Sequence, residues 1–351
     1  MSYRLAVIPG DGIGPEVVEA GLALLDAIRE RGGPAFHVER YPWGAGYYLQ
    51  CGKVMDDDGL ERLKAADAIL LGAIGDPRVP DPVSVRGLLI RIRQAFDLYV
   101  NLRPVRLLPG VATPLRDVGP DQVDMVMVRE NSEGEYAGIG GRIHQGTEDE
   151  AAVEAAYFSR RGIRRVAEFA FRLALRRRRK LTSITKSNAL VHGMVFWDEV
   201  VAEVGRRFPE VELEPMLADA AALHLVRNPS RFDVVLASNL FGDILTDLGA
   251  AIAGGMGLAA SANLDPERRF PSMFEPIHGS APDIAGKGIA NPLATFWSIA
   301  LMLDHLGEGD WAARITRALE RIFVETDVRT PDQGGRNTTA ELTEAFLALL
   351  G

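Results

Sequence analysis

Two aspartates four residues apart, Asp243 and Asp247 in SNLFGDILTDLG, are the first residues whose spacing could do chemistry. On a helix that spacing puts both carboxylates on one face, one turn from each other. Helix capping explains Asp243 but not a pair of carboxylates repelling each other. A hard divalent cation with oxygen ligands, Mg²⁺ or Mn²⁺, does explain the pair. Asp219, at a predicted helix start in LADAAALHLV, is the candidate third ligand. Spacing alone leaves the metal site and a structural pair both open.

Three arginines have unusual settings. RIRQAFDLYVNLRPVRL places Arg93 on a helix and Arg103 just past the strand-like YVNL, and Arg129 ends the apolar DMVMV. A guanidinium at the end of a buried strand must meet an anion, and its planar fork fits a carboxylate in bidentate fashion. Tyr136 follows in RENSEGEY; beside a cationic cluster a tyrosine pKa can fall far enough to make it a proton donor, although a loop tyrosine is more often packing with a wet hydroxyl. Lys186 follows the strand LTSIT in a chain with only five lysines against thirty-four arginines. Unlike arginine, a desolvated lysine can give up its proton.

Two glycine-rich stretches bracket these residues. IPGDGIGPEVV joins a strand to a helix, the layout of a dinucleotide fingerprint, but from Gly10 the third glycine would fall on Pro15. No Gly-Lys-Ser/Thr follows, so a P-loop fails too. Pro15 and Glu16 suit a first helical turn, where a missing N–H costs nothing and negative charge meets the positive end of the dipole. FEPIHGSAPDIAGKGIANP is irregular and rich in small residues, so its backbone could approach a flat ligand.

The elements that must position these groups alternate. RLAVI, a helix from Pro15 to about Arg31, FHVERY, a helix near Leu60 and DAILLGAIG imply parallel strands with crossover helices. After DMVMVRE and a polar, Gly-rich stretch come a helix from Arg161 to Arg177, then LTSIT, a helix from Ala189, FDVVLAS, a helix from Phe241, and two long final helices. Two α/β lobes with the chain crossing between them more than once is the simplest architecture. With 351 residues, 47% of them hydrophobic, the chain can fill a real core. A net charge of −9 argues against nucleic acid or an anionic membrane as main partner. The run RRRRK at 176–180 reads as a solvated helix end. Cys51 is the sole cysteine, which excludes an internal disulfide. Without a signal segment or an apolar run of membrane length, a cytoplasmic location is the default expectation.

GDGIGPE, LRPVRL, RENSEGEY, TKSNAL, SNLFGDILTDL and HGSAPDIAGKGIANP, in this order across essentially the whole chain, resemble the β-decarboxylating dehydrogenases of the isopropylmalate/isocitrate dehydrogenase family. The resemblance implies a two-lobe α/β/α fold without a Rossmann fingerprint. It implies a discontinuous cofactor-binding domain of residues 1–101 and 256–351, and a substrate, metal and dimerisation domain of residues 102–255. Arg93, Arg103, Arg129, Asn188 and Leu89 would contact a small 2-hydroxy dicarboxylate, and Asp219, Asp243 and Asp247 would hold Mg²⁺ or Mn²⁺. Lys186 would deprotonate the 2-hydroxyl and Tyr136 would protonate the enolate after CO₂ leaves. NAD would lie on Ile13, Ala73, Ile74, His278, Gly279, Ser280, Ala281, Asp283, Ile284 and Asn291, with Asp283 on the ribose hydroxyls in place of the Lys that NADP-dependent relatives carry. A monovalent cation is a further cofactor such relatives allow. Family members are homodimers that share their active sites, the lysine and one metal carboxylate coming from the neighbouring subunit.

Within the family, RENSEGEY, FDLYVNLRPVRLLPG and SANLDPER look closest to the D-malate/tartrate type, which makes D-malate, tartrate or both the expected substrate. A 3-isopropylmalate dehydrogenase and a homoisocitrate/isocitrate-type dehydrogenase are the alternatives, and a regulatory subunit is the non-enzyme one. Isocitrate-specific relatives carry Ser and Asn where this chain has Gly87 and Leu89. The D-malate/tartrate type tends to have Trp-Gly-Ser at Arg86, Gly87 and Leu88. Arg86 either points to solvent, the commoner fate of a surface-helix arginine, or, seven residues before Arg93, shares its helix face and reaches the C3 end of the substrate.

Overall fold

The computed structural model describes residues 1–351. Its strands are β1 (Ser2–Gly10), β2 (Ala35–Arg40), β3 (Ala68–Ala73), β4 (Val100–Arg106), β5 (Asp124–Glu130) and β6 (Gly134–Ile143) in the first part of the chain. β7 (Ala151–Tyr157), β8 (Lys180–Thr185), β9 (Glu212–Leu217), β10 (Val234–Ala237), β11 (Ala260–Leu264) and β12 (Ser272–Pro276) follow. The chain divides into two compact units: residues 1–98, 106–120 and 250–351 form the first, and residues 99–105 and 121–249 the second. The chain therefore changes unit at 98/99 and 249/250, a few residues before the expected 101/102 and 255/256, and 106–120 returns to the first unit.

In the first unit the strand order is β2-β1-β3-β12-β11. β1 pairs in parallel with β2 and β3, β3 with β12, and only β11 runs antiparallel to its neighbour β12. β3 is buried throughout its length, as expected of a parallel strand covered on both faces. The helix Gly14–Glu30 starts with Pro15 in its first turn and buries Val17, Leu24 and Ile28. The helix Leu293–Leu306 is buried nearly all round and stops at Gly307, whose φ of 93° provides the left-handed cap.

A half-buried histidine in this unit makes stability depend on pH. His305, in the last turn of that helix, is pushed down to about 4, chiefly by burial and secondarily by the charge of Arg268. The unfolded chain therefore binds a proton that the folded chain does not between the ordinary histidine pKa and about 4. Its contribution is complete above the unfolded value and is lost as pH falls through that window; the shift corresponds to about 3 kcal/mol. We expect His305→Asn to flatten the acid limb of a denaturant-stability profile between pH 6.5 and about 4. An unchanged limb would show that His305 does not carry it.

In the second unit the order is β4-β5-β10-β8-β9, with parallel pairing from β5 through β9. The polar, Gly-rich stretch after DMVMVRE is not a loop. It forms β6, which pairs antiparallel with β7 in a separate two-stranded sheet. The arginine run is the solvated helix end expected of it at Arg176, Arg178 and Arg179, which are exposed, but not at Arg177. The helix stops at Leu175, and Arg177 donates to the buried Asp233 (2.8 Å) and to Asp124 (3.0 Å), while Arg178 N–H donates to the other Asp233 oxygen (2.8 Å). A carboxylate buried just before β10 must be paired, and these arginines neutralise it.

Candidate active site

The helix Asn239–Ile252 follows β10 and turns one face toward the strand-borne arginines of its own unit. Asn239, Asp243, Thr246 and Asp247 recur at intervals that bring them to that face. Arg129, at the end of β5, is fully buried; its Nε and Nη2 both donate to Asn239 Oδ1, at 3.0 and 2.7 Å, and its Nη1 donates to Asp243. Arg103, on β4, donates from Nε to Asn101 Oδ1 (2.7 Å) and from Nη1 to Thr246 Oγ1. It also lies 3.8 Å from Asp243 and 3.7 Å from Asp247. The anions these arginines meet within the chain are thus the two aspartates of SNLFGDILTDL. The helix begins at Asn239, two residues before the expected Phe241, so Asp243 sits in the second turn and is not a cap.

Asp247 is more than half exposed, and its pKa is raised chiefly by partial desolvation, with Arg103 opposing the rise and the neighbouring Asp243 charge adding to it. Two carboxylates that compete for charge beside two guanidiniums fit a hard cation, which would hold both ionised. No three His, Cys, Asp or Glu side chains of one chain gather into a metal-binding group, so Asp219 does not join Asp243 and Asp247 within the protomer.

Tyr136, on β6, donates its hydroxyl to Asp243 Oδ2 at 2.8 Å, with the Arg129 guanidinium 5.5 Å from its ring centre. Its pKa is raised, first by burial, then by the bond to Asp243 and that group's charge, and the Arg129 charge only partly offsets them. This corrects the expectation that the cationic cluster would lower it. The phenol is a held proton, on a strand and not in a loop.

Lys186, just after β8, donates to Asp219 Oδ1 at 2.8 Å, and that bond is the largest cause lowering the Asp219 pKa. Asp219 lies in the first turn of the helix Ala218–Arg227 and is mostly exposed. Asn188 is exposed on the turn before the next helix, which starts at Gly193, four residues later than the expected Ala189. Leu190, Val191, Val195, Leu223 and Val226 are exposed on these two segments.

The first unit carries the other glycine-rich stretches. A Cβ on Gly12 (φ 58°) would lie 1.9 Å from Ser280 O, and Ile13 N–H donates to that same carbonyl at 2.8 Å. The opening turn is therefore docked against HGSAPDIAG, with Ile13 and Val17 packed on Ala281, Ile284 and Ala290. Asp11 accepts N–H bonds from Ala45, Gly46 and Gly75, fixing the segment after Ala73 and Ile74. Glu16 accepts from Gly288 and Ala290 N–H and from Thr339. Burial lowers the His278 pKa, and its Nε2 is buried without a hydrogen-bond partner while its Nδ1 lies 3.1 Å from Gly279 O. Asn291 is buried and bonded to Asp332 at 3.0 Å, and Asp283 is exposed on the loop. A backbone cradle closed by glycines, with an orphaned imidazole nitrogen, fits a flat polar ligand.

Arg93 is also in the first unit, buried and paired with Glu275 at 2.8 Å, and its Nε is buried without a partner. Leu89 is half-buried on the apolar cluster around Leu88 and Phe96. Of the two readings of Arg86, the solvent-facing one fits its exposure. Val85–Ile90 is a π-helix, whose wider turn breaks the α-helical spacing, and Arg86 is exposed while Arg93 is buried.

The description Isocitrate/isopropylmalate dehydrogenase matches residues 4–346. The chain belongs to this family. It is 54% identical over 345 residues, 98% of this chain and 96% of the other, to a probable tartrate dehydrogenase/decarboxylase of Agrobacterium vitis. It is 52% identical to a 3-isopropylmalate dehydrogenase of Thermobifida fusca, covering 96% of this chain and 95% of that one. With the D-malate dehydrogenase [decarboxylating] of Escherichia coli it shares 49% identity, covering 99% of each. The crystal structure of isocitrate dehydrogenase from Methylococcus capsulatus superposes with a TM-score of 0.89 at 36% identity, covering 99% of each chain. The fold is accordingly the two-lobe α/β fold expected from the motifs.

Asn239, Asn101, Thr246, Asp11 and Glu275 were not singled out from the sequence. The signal lay in SNLFGD for Asn239: a buried amide four residues before an aspartate on one helix face.

Proposed function

We propose that this protein is an NAD- and divalent-metal-dependent oxidoreductase that decarboxylates a malate-type 2-hydroxy acid, D-malate, tartrate or both. The observation that carries the reading is the single helix face on which Asp243 and Asp247 stand beside Arg103, Arg129 and the Tyr136 hydroxyl. When bound, NAD would accept the hydride from C2 and Mg²⁺ or Mn²⁺, held by Asp243 and Asp247, would polarise the oxygen on C2. Arg103 and Arg129 orient the acid through its carboxylates. Lys186 takes the hydroxyl proton as C2 is oxidised, and Tyr136 delivers its proton to C3 after the C–C bond breaks and CO₂ departs.

In this reading Lys186 and Asp219 serve the site of a second subunit. They bond to each other, do not gather with Asp243 and Asp247 within the chain, and are flanked by the exposed Leu190, Val191, Leu223 and Val226. The β6–β7 sheet points the same way: two strands alone are marginal in water, yet Ile139, Ile143, Val153 and Tyr157 stand exposed on them. Asp283 on its loop would accept the ribose hydroxyls, favouring NAD over a 2′-phosphate. No helix is long and apolar enough to cross a membrane, and we place the enzyme in the cytoplasm.

A second reading, 3-isopropylmalate, is favoured by the 52% identity to a 3-isopropylmalate dehydrogenase. The test is NADH formation with D-malate or tartrate and Mn²⁺, abolished by a chelator and restored by added metal. Turnover indifferent to the chelator would sink the metal assignment.

A further inference from the structure

We infer that Asn239 is a positioning residue that sets both the Arg129 guanidinium and the strand carrying Tyr136. Asn239 is buried, and its two amide ends face different groups. Arginine can only donate, so Oδ1 must face Arg129, where it takes both Nε–H and Nη2–H. That leaves the NH₂ group for an acceptor, and Nδ2 donates to Glu133 O at 2.9 Å.

Glu133 immediately precedes β6. Its side chain accepts from Ser159 N–H (2.8 Å) and the Ser159 hydroxyl, so this point of the chain is gripped from two sides. Gly134, with φ 75°, lets the backbone pass Asn239 closely: a Cβ there would lie 3.1 Å from Asn239 Cβ. Two residues further on, Tyr136 reaches Asp243. One planar amide thus couples an acid-binding guanidinium to the proton donor. Neither a hydroxyl nor a carboxylate can replace it, the first being too short to span both groups and the second having no N–H to give.

The inference rests on the proposed reaction, with Arg129 as acid ligand and Tyr136 as proton donor. Its test compares wild type, Asn239→Ala, Asn239→Asp and the Arg129→Lys combination. Asn239→Ala should raise KM for the acid roughly tenfold or more, the effect of leaving a charged donor without its acceptor, and lower kcat, with KM for NAD unchanged. In the Arg129→Lys background the same change should add little to acid KM, because the two residues act as one unit. Hydrogen exchange of the peptide covering residues 133–138, measured without substrate, should quicken in both Asn239 variants, since each loses the bond to Glu133 O.

Equal rises in KM for acid and NAD, full additivity with Arg129→Lys, or unchanged exchange at residues 133–138 would each overturn the inference. A wild type that turns over none of the acids would sink the proposed reaction, and the exchange comparison would still decide the positioning claim.

Discussion

Lys186→Ala is expected to leave a folded protein whose turnover falls roughly 10²- to 10⁴-fold, the usual cost of removing a general base. The Lys186 ammonium bonds only to the mostly exposed Asp219, so its removal leaves no buried charge unpaired. Tyr136→Phe should cost a similar factor while leaving NAD binding intact, because the phenol bonds to Asp243. Mixing the two variants separates the possible layouts. If each site combines the Tyr136 of one chain with the Lys186 of the other, a heterodimer contains one intact site and one doubly damaged site. Activity should return as subunits exchange, and no return under proven exchange would show that each site lies within one chain.

Arg129→Met should have the next largest effect, and on stability as well as activity. Arg129 is buried and its charge faces Asp243, so deleting it takes from Asp243 its nearest cation, with Arg103 at 3.8 Å and the Tyr136 hydroxyl still beside it, and leaves the buried Asn239 amide oxygen without its donors. Removing one partner of a buried pair costs about 3–5 kcal/mol. The Asp243 side chain is 38% exposed, which lets water screen part of that charge and points to the lower end. Chemical denaturation should show the loss, and the variant's kcat/KM for the acid should fall further than Tyr136→Phe alone lowers it. Wild-type stability in Arg129→Met would contradict the view that the helix face is held together by this guanidinium.

The parallel strands and the main helices were legible because continuous apolar runs and amphipathic periods report burial directly, as in RLAVI and the helix after Pro15. The Asp243/Asp247 spacing was legible for the same reason: it is a property of one helix. Tyr136 was misread as a loop residue because Gly-rich GEYAGIGGRI has neither an apolar alternation nor a helical period; it becomes a strand only by pairing with β7. The direction of its pKa was misjudged because Asp243, 107 residues away, supplies the acceptor. Arg177 reads as a solvated residue from the sequence because nothing local reveals the buried Asp233 it neutralises. The substrate-facing reading of Arg86 assumed an α-helical spacing that the π-helix Val85–Ile90 removes.

The substrate assignment is tested most directly by initial rates of NADH formation with Mn²⁺ across D-malate, tartrate, 3-isopropylmalate, isocitrate and homoisocitrate. A pair of arginines beside two aspartates, without a further cation from Arg86, predicts that D-malate, tartrate or both give the highest kcat/KM. Efficient turnover of 3-isopropylmalate alone would contradict the account, keeping the site and its chemistry but replacing its substrate.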